Sequence, residues 1–205
     1  PIGKLIKKYE TEILLKMLQP EAEDKILDVG CGTGIFTKDV LDSGSSVTGL
    51  DLSKPMLCRA ACKFRETAFA GVLGEMTALP FADSSFDKTF SMTAIEFVSD
   101  AKKAIQELNR VTRKDGVVVL TTLNSLSPWA ERRIHEGKKG HSLFQDMYFR
   151  SPGEMVDLVK YPSKVQTAIH FLKSDDPEDA EKIEKEGAFK GNETGAFLAL
   201  AWQKE

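Results

Sequence analysis

The sequence predicts an α/β fold in which helices flank a doubly wound, mostly parallel sheet. Short apolar runs alternate with stretches of helical periodicity from residue 25 to residue 123, as in consecutive βαβ units. The run at 26–29 leads into Gly30, Gly32 and Gly34, where a buried strand would turn sharply into a helix. Residues 117–122 form a continuous apolar run, the pattern of a strand buried on both faces.

The bulk properties describe an ordinary globular chain. Of its 205 residues, 41% are hydrophobic and 29% are charged, so we expect one domain spanning residues 1–205. A net charge of −3 gives no reason to expect nucleic acid or an anionic membrane as a partner. No apolar run approaches the roughly 20 residues of a membrane helix, and residues 1–8 lack a signal-peptide core. An odd number of cysteines argues against a disulfide framework, so we expect a cytoplasmic protein. We also expect a monomer or a homodimer.

Local signals predict each element of the first two thirds of the chain. An apolar stripe over residues 1–19 predicts an N-terminal helix that covers the sheet. Ser53 with Pro55 predicts one helix start, and Ser99 or Asp100 predicts another. The predicted strands lie at 25–29, 46–50, 69–73, 86–93 and 117–122, and the helices between them at 35–41, 53–64 and 100–112.

The last third of the chain breaks this rhythm. Residues 124–150 are polar, aromatic and irregular, and we expect them to form a lid over the substrate. Ser151, Pro152 and Glu154 form a capping box with proline at the first helical position, which predicts a helix to about residue 160. Further strands are predicted at 165–172 and 196–202, with a charged helix at 178–186 between them.

The predicted carboxyl ends of the strands carry the candidate site. Ligands of open α/β sheets bind beyond these ends. The glycine loop follows the first strand, Asp51 the second and Glu75 the third. Asp51 lies 23 residues after Asp28, near the roughly 20-residue spacing that lets an acid bind ribose hydroxyls. The Gly-x-Gly-x-Gly spacing differs from the Gly-x-Gly-x-x-Gly of dinucleotide sites, which disfavours an NAD-linked dehydrogenase.

Three motifs give the chain a family resemblance. They are Ile-Leu-Asp-Val-Gly-Cys-Gly-Thr-Gly at 26–34, Val-Thr-Gly-Leu-Asp-Leu-Ser at 47–53 and Leu-Pro-Phe-Ala-Asp-Ser-Ser-Phe-Asp at 79–87. On these motifs the chain resembles the class I S-adenosylmethionine-dependent methyltransferases, in particular the small-molecule group related to ubiquinone and menaquinone methyltransferases. The resemblance covers about residues 20–123. It implies a Rossmann-like sheet of seven strands with an antiparallel last strand, S-adenosylmethionine as cofactor and S-adenosylhomocysteine as product.

The resemblance also implies roles for individual residues. The main chain of the glycine loop would contact the methionine part of the cofactor, Asp28 would orient the loop and bind the ammonium group, and Asp51 would hold the ribose. Glu75 stands where the family more often has Asp. Cys31 lies inside the loop, and we interpret it as a small, tolerated side chain rather than a nucleophile. The residues expected at the cofactor are Asp28, Gly30, Cys31, Gly32, Gly34, Asp51, Leu52, Met56, Glu75, Met76, Met92 and Thr93.

On the acceptor side the sequence predicts less. Methyl transfer needs alignment and exclusion of water, and a general base where the accepting atom carries a proton. Glu96 and His141 are the candidate catalytic residues. The acidic stretch 175–186 is hypothesised to line the entrance, and the alternative is a solvated helix. The residues expected to face a small-molecule acceptor are Tyr9, Trp129, His135 and Tyr148.

Two other classes of function stay open. A methyltransferase acting on RNA, DNA or protein is disfavoured because residues 91–96 lack an Asn/Asp-Pro-Pro-aromatic motif and no basic patch with interleaved aromatics occurs. The other class is a protein that binds S-adenosylmethionine without transferring its methyl group. Cys58 and Cys62 lie one helical turn apart and could bind a metal or arsenic, but we expect buried packing and predict no metal site.

Overall fold

Seven strands form one mixed sheet in the computed structural model, which describes residues 2–160 and 162–205. In chain order the strands are β1 (Lys25–Val29), β2 (Ser46–Asp51), β3 (Phe69–Leu73), β4 (Phe86–Ser91), β5 (Thr112–Leu123), β6 (Lys164–Ala168) and β7 (Phe197–Gln203). Their order across the sheet is β3-β2-β1-β4-β5-β7-β6. Only β7 runs antiparallel to its neighbours, β5 and β6, so the predicted fold class is confirmed.

Helices cover both faces of this sheet. They are α1 (Ile2–Leu18), α2 (Thr37–Leu41), α3 (Lys54–Lys63), α4 (Ala101–Val111), α5 (Pro128–Lys138), α6 (Ser142–Gln145), α7 (Pro152–Val159) and α8 (Pro177–Lys190), and a 3₁₀ turn spans Ile95–Phe97. The predicted N-terminal helix is α1, apart from Pro1, which lies outside the described residues. Its apolar stripe packs with β4, β5 and β7 in one core layer, while α4 contributes to the layer on the opposite face. Within residues 2–160 and 162–205, no helix combines the length and the apolarity needed to span a membrane.

The predicted lid, residues 124–150, is largely helical rather than irregular. Helix α5 begins where the Ser127 hydroxyl accepts a hydrogen bond from the Ala130 amide, with Pro128 at the first helical position. Only Ala130 and Gly137 of α5 are buried. Without a stripe of large apolar residues, hydrophobic periodicity gives no helical signal in this segment.

The acidic helix near the C-terminus is longer than predicted and is anchored in the protein. It runs to Lys190 and ends at Gly191, which has a left-handed conformation. Ala180, Glu184 and Gly187 are buried. Most of the other residues of α8 are exposed, so it is a surface helix with one side packed against the chain, and its placement at the entrance stays a prediction.

One of the family motifs, the loop at 79–87, is held in place by side chains of α4. The Glu107 carboxylate accepts a hydrogen bond of 2.7 Å from the Leu79 amide. Arg110 donates to the carbonyl oxygens of Leu79 at 3.0 Å and Phe81 at 2.8 Å. Charge-assisted bonds of this kind are stronger than neutral ones, so the 79–87 loop is fixed against α4.

Replacing Leu108 by alanine should destabilise the fold. Leu108 is completely buried on α4, and removing such a side chain costs about 2–5 kcal/mol because a cavity remains. Urea unfolding followed by circular dichroism measures the change. Lys102→Ala, at an exposed position of the same helix, is the matched control and should shift stability by less than about 0.5 kcal/mol. Equal shifts for the two variants would contradict the proposed packing of α4.

Candidate active site

The glycine loop after β1 is closed on two sides and open on one. Gly30, Gly32 and Gly34 have φ angles of 78°, 54° and 73°, values that L side chains rarely adopt. A Cβ at Gly30 would lie 2.4 Å from the Cβ of Ala94, and one at Gly34 would lie 2.3 Å from the Phe64 ring. A Cβ at Gly32 would meet nothing within 4 Å. The main chain at Gly32 is therefore the part of the loop that a ligand can approach.

Asp51 joins the glycine loop to the end of β2. One oxygen of its carboxylate accepts a hydrogen bond of 2.7 Å from the Gly32 amide, and the other accepts one of 2.8 Å from the Ser53 amide. Each carboxylate oxygen has a second acceptor position. The side chain can thus hold the loop and still accept hydrogen bonds from a ligand hydroxyl.

Asp28 lies beneath the loop and is almost completely buried. Its carboxylate accepts a hydrogen bond of 2.6 Å from the Thr37 hydroxyl. Burial raises the pKa of Asp28 to about 7, against the effect of this bond, and the nearby charge of Asp51 raises it further. Its described contact is with α2, so a direct contact with a cofactor ammonium group stays a prediction.

A cavity of about 400 Å³ lies at the carboxyl ends of β1 to β4. This volume is within the range of roughly 300–1,000 Å³ that is usual for small-ligand sites. Six residues predicted from the sequence line it, namely Gly30, Asp51, Leu52, Glu75, Met76 and Thr93. An acid, a glycine main chain and apolar side chains meet there. This combination of groups fits a nucleoside with an amino acid attached.

About half of the lining was not predicted from the sequence. Leu50, Gly74, Thr77, Ala94, Phe97, Val98 and Ser99 also face the cavity. Four of them belong to the segment after β4, which carries no motif of its own. Its position directly after a predicted central strand was the only available signal.

Other predicted cofactor residues lie around the cavity rather than in its lining. Burial raises the pKa of the Cys31 thiol, and a Cβ at Gly49 would lie 2.8 Å from the Cys31 sulfur, so this side chain points toward β2. Met92 is buried, and the Thr121 hydroxyl lies 3.6 Å from its sulfur. Met56 is exposed on α3.

Thr93, which lines the cavity at the end of β4, has an unusual backbone. Its φ angle is 48°, in the left-handed region that β-branched residues avoid. The Thr93 amide donates a hydrogen bond of 3.0 Å to the Thr121 hydroxyl, which helps to hold this conformation. Such strain costs on the order of 1–3 kcal/mol and is concentrated at functional sites.

Glu96 is buried in the turn that follows β4, with 1% of its surface exposed. Burial raises its pKa to about 7, and a hydrogen bond of 3.4 Å from the Thr122 hydroxyl opposes this shift, as do the nearby charges of Arg133 and Arg150. Arg150 also fixes the turn by donating to the carbonyl oxygens of Ile95 at 3.1 Å and Val98 at 2.9 Å. Neither Arg133 nor Arg150 was predicted from the sequence to lie near the site.

The residues predicted to face an acceptor separate into two groups. The Trp129 indole donates to the Phe171 carbonyl at 2.8 Å, and the ring of Tyr9 lies 6.2 Å from that of Phe171. The Tyr148 amide donates to the Glu96 carbonyl at 2.7 Å. Tyr9 and Trp129 thus both contact Phe171, whereas Tyr148 is linked to the turn after β4.

The two candidate histidines are exposed and do not line the 400 Å³ cavity. His141 stacks on Phe144 with ring centroids 4.4 Å apart. His135 borders a separate surface cavity along α5. Glu96 does not line this cavity either, but it lies in the turn whose residues Ala94, Phe97 and Val98 do, so it is nearer to the candidate site than His141.

Cys58 and Cys62 are both exposed on α3, so the expectation of buried packing is wrong. The helix turns this face to solvent, while Leu57 and Ala60 face the core. In the part of the chain that the structure describes, no three potential ligands from His, Cys, Asp and Glu converge on one point.

Comparison with known proteins agrees with this architecture. Residues 27–120 match the family described as a methyltransferase domain. A malonyl-(acyl-carrier protein) O-methyltransferase of Pseudescherichia vulneris is 37% identical over 120 residues, which are 58% of this chain and 47% of that protein. The chain thus spans about half the length of the curated relatives that it matches.

Solved structures show the same fold. A methyltransferase from the Haloferax volcanii complex with the Trm112 methyltransferase activator has a TM-score of 0.75 and 21% identity, covering 98% of this chain and 92% of that one. A geranyl diphosphate C-methyltransferase from Streptomyces coelicolor A3(2), solved with S-adenosyl-L-homocysteine, has a TM-score of 0.70 and 18% identity, covering 97% and 81%.

Replacing Asp51 by asparagine should weaken binding of S-adenosylhomocysteine by roughly 10- to 100-fold, since a hydrogen bond to a charged group contributes about 1.5–3 kcal/mol. Isothermal titration calorimetry measures the affinity. The control is Asp42→Asn, which removes the same charge from an exposed ion pair with Lys38. Unchanged affinity in Asp51→Asn would contradict the predicted contact of Asp51.

Replacing Glu96 by glutamine should change how stability depends on pH. A carboxyl with a folded pKa of about 7 contributes stability below its unfolded value of about 4.5, and this contribution is lost as pH rises through 7. Between pH 4 and pH 8 the wild type should therefore lose roughly 3 kcal/mol relative to Glu96→Gln.

Urea unfolding at each pH measures this difference. Burial also raises the pKa values of Glu10 and Asp28 to about 7. Because both proteins contain these two acids, their contributions cancel, and the difference between the profiles reports on Glu96. Parallel profiles for the two proteins would show that Glu96 is not desolvated in solution.

Proposed function

We propose that this chain is a class I S-adenosylmethionine-dependent methyltransferase that transfers a methyl group to a small-molecule acceptor, because residues 27–120 match a methyltransferase domain. The accepting atom is an O, N, S or C nucleophile, and S-adenosylhomocysteine is the second product. The observation that carries the proposal is the 400 Å³ cavity, where the glycine main chain, the Asp51 carboxylate and Thr93 meet.

The residues of the cavity have distinct roles in holding the cofactor. The main chain at Gly30 and Gly32 receives the methionine part, and Asp51 accepts hydrogen bonds from the ribose hydroxyls. Leu52 and Phe97, both exposed at the cavity, cover the adenine. When bound, S-adenosylmethionine supplies an activated methyl group on a sulfonium sulfur.

The chain's own contribution to the reaction is alignment, exclusion of water and removal of a proton. The Thr93 backbone and the turn after β4 are held rigidly by Thr121 and Arg150, which favours one orientation of the acceptor. Where the accepting atom carries a proton, Glu96 takes it at a carboxylate oxygen. A pKa of about 7 suits this role, because the group is then partly ionised near neutral pH while still a useful base.

The substrate class separates this proposal from its alternatives. The relatives' name suggests that the acceptor panel should include malonyl thioesters, free and attached to an acyl carrier protein. RNA and protein acceptors test the macromolecular alternative. A protein that binds S-adenosylmethionine but yields no S-adenosylhomocysteine with any acceptor would match the non-catalytic alternative.

The experiment is a calorimetric titration with S-adenosylmethionine, followed by an assay of S-adenosylhomocysteine formation across this panel. We expect saturable binding at one site and turnover with a small or carrier-linked acid. Absence of S-adenosylmethionine binding, or measurable binding of NAD in its place, would overturn the proposal.

Once an acceptor is identified, Glu96→Gln should lower kcat by roughly 10²- to 10⁴-fold if the accepting atom carries a proton. Cofactor affinity should stay unchanged, because Glu96 does not line the cofactor cavity. The rise of kcat with pH through about 7 should disappear in this variant. Glu131→Gln, at an exposed position of α5, is the control, and a kcat equal to that of the wild type in Glu96→Gln would exclude Glu96 as the base.

A further inference from the structure

A second cavity, of about 470 Å³, lies between α5 and the segment that follows β6. Its walls include the aromatic rings of Trp129 and Phe144 and the side chain of Leu172. Both the start of α5 and the segment after β6 are at the carboxyl edge of the sheet, the same edge as the cofactor cavity. The hydrogen bond from Trp129 to the Phe171 carbonyl, at 2.8 Å, holds the two walls together.

Among the described residues, the charged side chains that line this cavity have one sign. Arg132, Arg133 and Lys173 line it, and no Asp or Glu does. This is unusual in a chain whose net charge is −3. A cavity with apolar walls and only cationic charged groups favours a ligand that carries negative charge on an apolar body.

Within the described part of the chain, these cations also form no close ion pair. Among the residues that the structure describes, none of the three forms an ion pair. By contrast, Arg110 is held by Glu107 at 2.7 Å and by Asp83 at 2.8 Å. Arg133 is half-buried and lies over the Trp129 ring, 5.6 Å from its centroid. The charges of Glu96 and Glu10 act on Arg133, but neither forms an ion pair with it among the described residues, so this partly desolvated guanidinium can gain from binding an anion.

Arg133 lies on the same edge of the sheet as the candidate site, because it lines the cavity on α5, which begins after the carboxyl end of β5. Burial lowers the pKa of Arg133, and the nearby charges of Glu96 and Glu10 raise it. An anionic group bound at Arg133 would therefore lie at the same carboxyl edge as the turn that follows β4.

We propose that the cavity bounded by α5 and the segment after β6 binds the anionic end of the methyl acceptor, an organic carboxylate or phosphate with an apolar body. Arg132, Arg133 and Lys173 bind the charge, and Trp129, Phe144 and Leu172 contact the apolar part. The assignment of this ligand as the acceptor rests on the proposed function. Binding of organic anions at the cavity does not.

The test uses three probes that share one aromatic body and differ in charge: 2-naphthoate, 2-naphthyl phosphate and the neutral 2-naphthalenemethanol. Calorimetry gives their affinities for the wild-type protein. We expect at least one anion to bind tenfold or more tightly than the alcohol, and the better anion identifies the carboxylate or the phosphate as the preferred group. Equal affinities for all three probes would overturn the proposal.

Charge variants locate the site. Arg132→Gln/Lys173→Gln removes two exposed charges and should fold normally, and we expect it to weaken anion binding tenfold or more without affecting the alcohol. Arg133→Gln should have at least as large an effect. Lys4→Gln/Lys102→Gln removes two exposed charges elsewhere and is the matched control. Anion affinity that falls equally in the control and in the cavity variants would contradict the location.

Two further measurements separate this proposal from the proposed function. The affinity for S-adenosylhomocysteine should be the same in the cavity variants as in the wild type. If the wild-type protein does not bind S-adenosylhomocysteine, that result contradicts the proposed function but not the anion site. In the acceptor panel, acids should be methylated and their amides should not. Turnover of the amides but not of the acids would overturn the acceptor assignment even if the cavity binds anions.

Discussion

The hydrogen bond between the Asp51 carboxylate and the Gly32 amide is the interaction on which the candidate site depends. It joins the loop after β1 to the end of β2 at 2.7 Å. The loop can make this approach only because its glycines adopt positive φ angles and because Gly30 and Gly34 leave room for Ala94 and Phe64. The cavity wall between β1 and β2 is therefore built from main chain, which leaves Gly32 open to a ligand.

A second constraint is the cost of burying acids. Asp28 and Glu96 are almost fully buried, and burial raises the pKa of each to about 7. Ionised carboxylates in such places are costly, so a chain optimised only for stability would avoid them. Asp28 supports the loop through Thr37, whereas Glu96 has a single, long side-chain hydrogen bond, to Thr122. The charges of Arg133 and Arg150 also act on Glu96, so it is a buried acid with positive charges near it, a combination common at functional sites.

The segment after β5 connects the two cavities. Arg150 holds the turn that lines the cofactor cavity, and Trp129 and Arg133 of α5 line the cationic one. A shift of this segment would therefore alter both cavities together. If both cavities bind ligands as proposed, this connection through Arg150 would help to align them.

The sequence predicted three features correctly: the order of strands and helices up to residue 123, the glycine loop and the acid after β2. Short-range features encode them, namely apolar periodicity, glycines at alternate positions and the spacing from Asp28 to Asp51. Tertiary structure alone decided which acid is buried, which cysteines are exposed, and that Arg133 and Arg150 lie near the site. These side chains reach it from distant parts of the chain, through contacts such as that between Arg150 and Ile95. The local pattern of apolar and polar residues does not predict such contacts, because they depend on how separate elements pack.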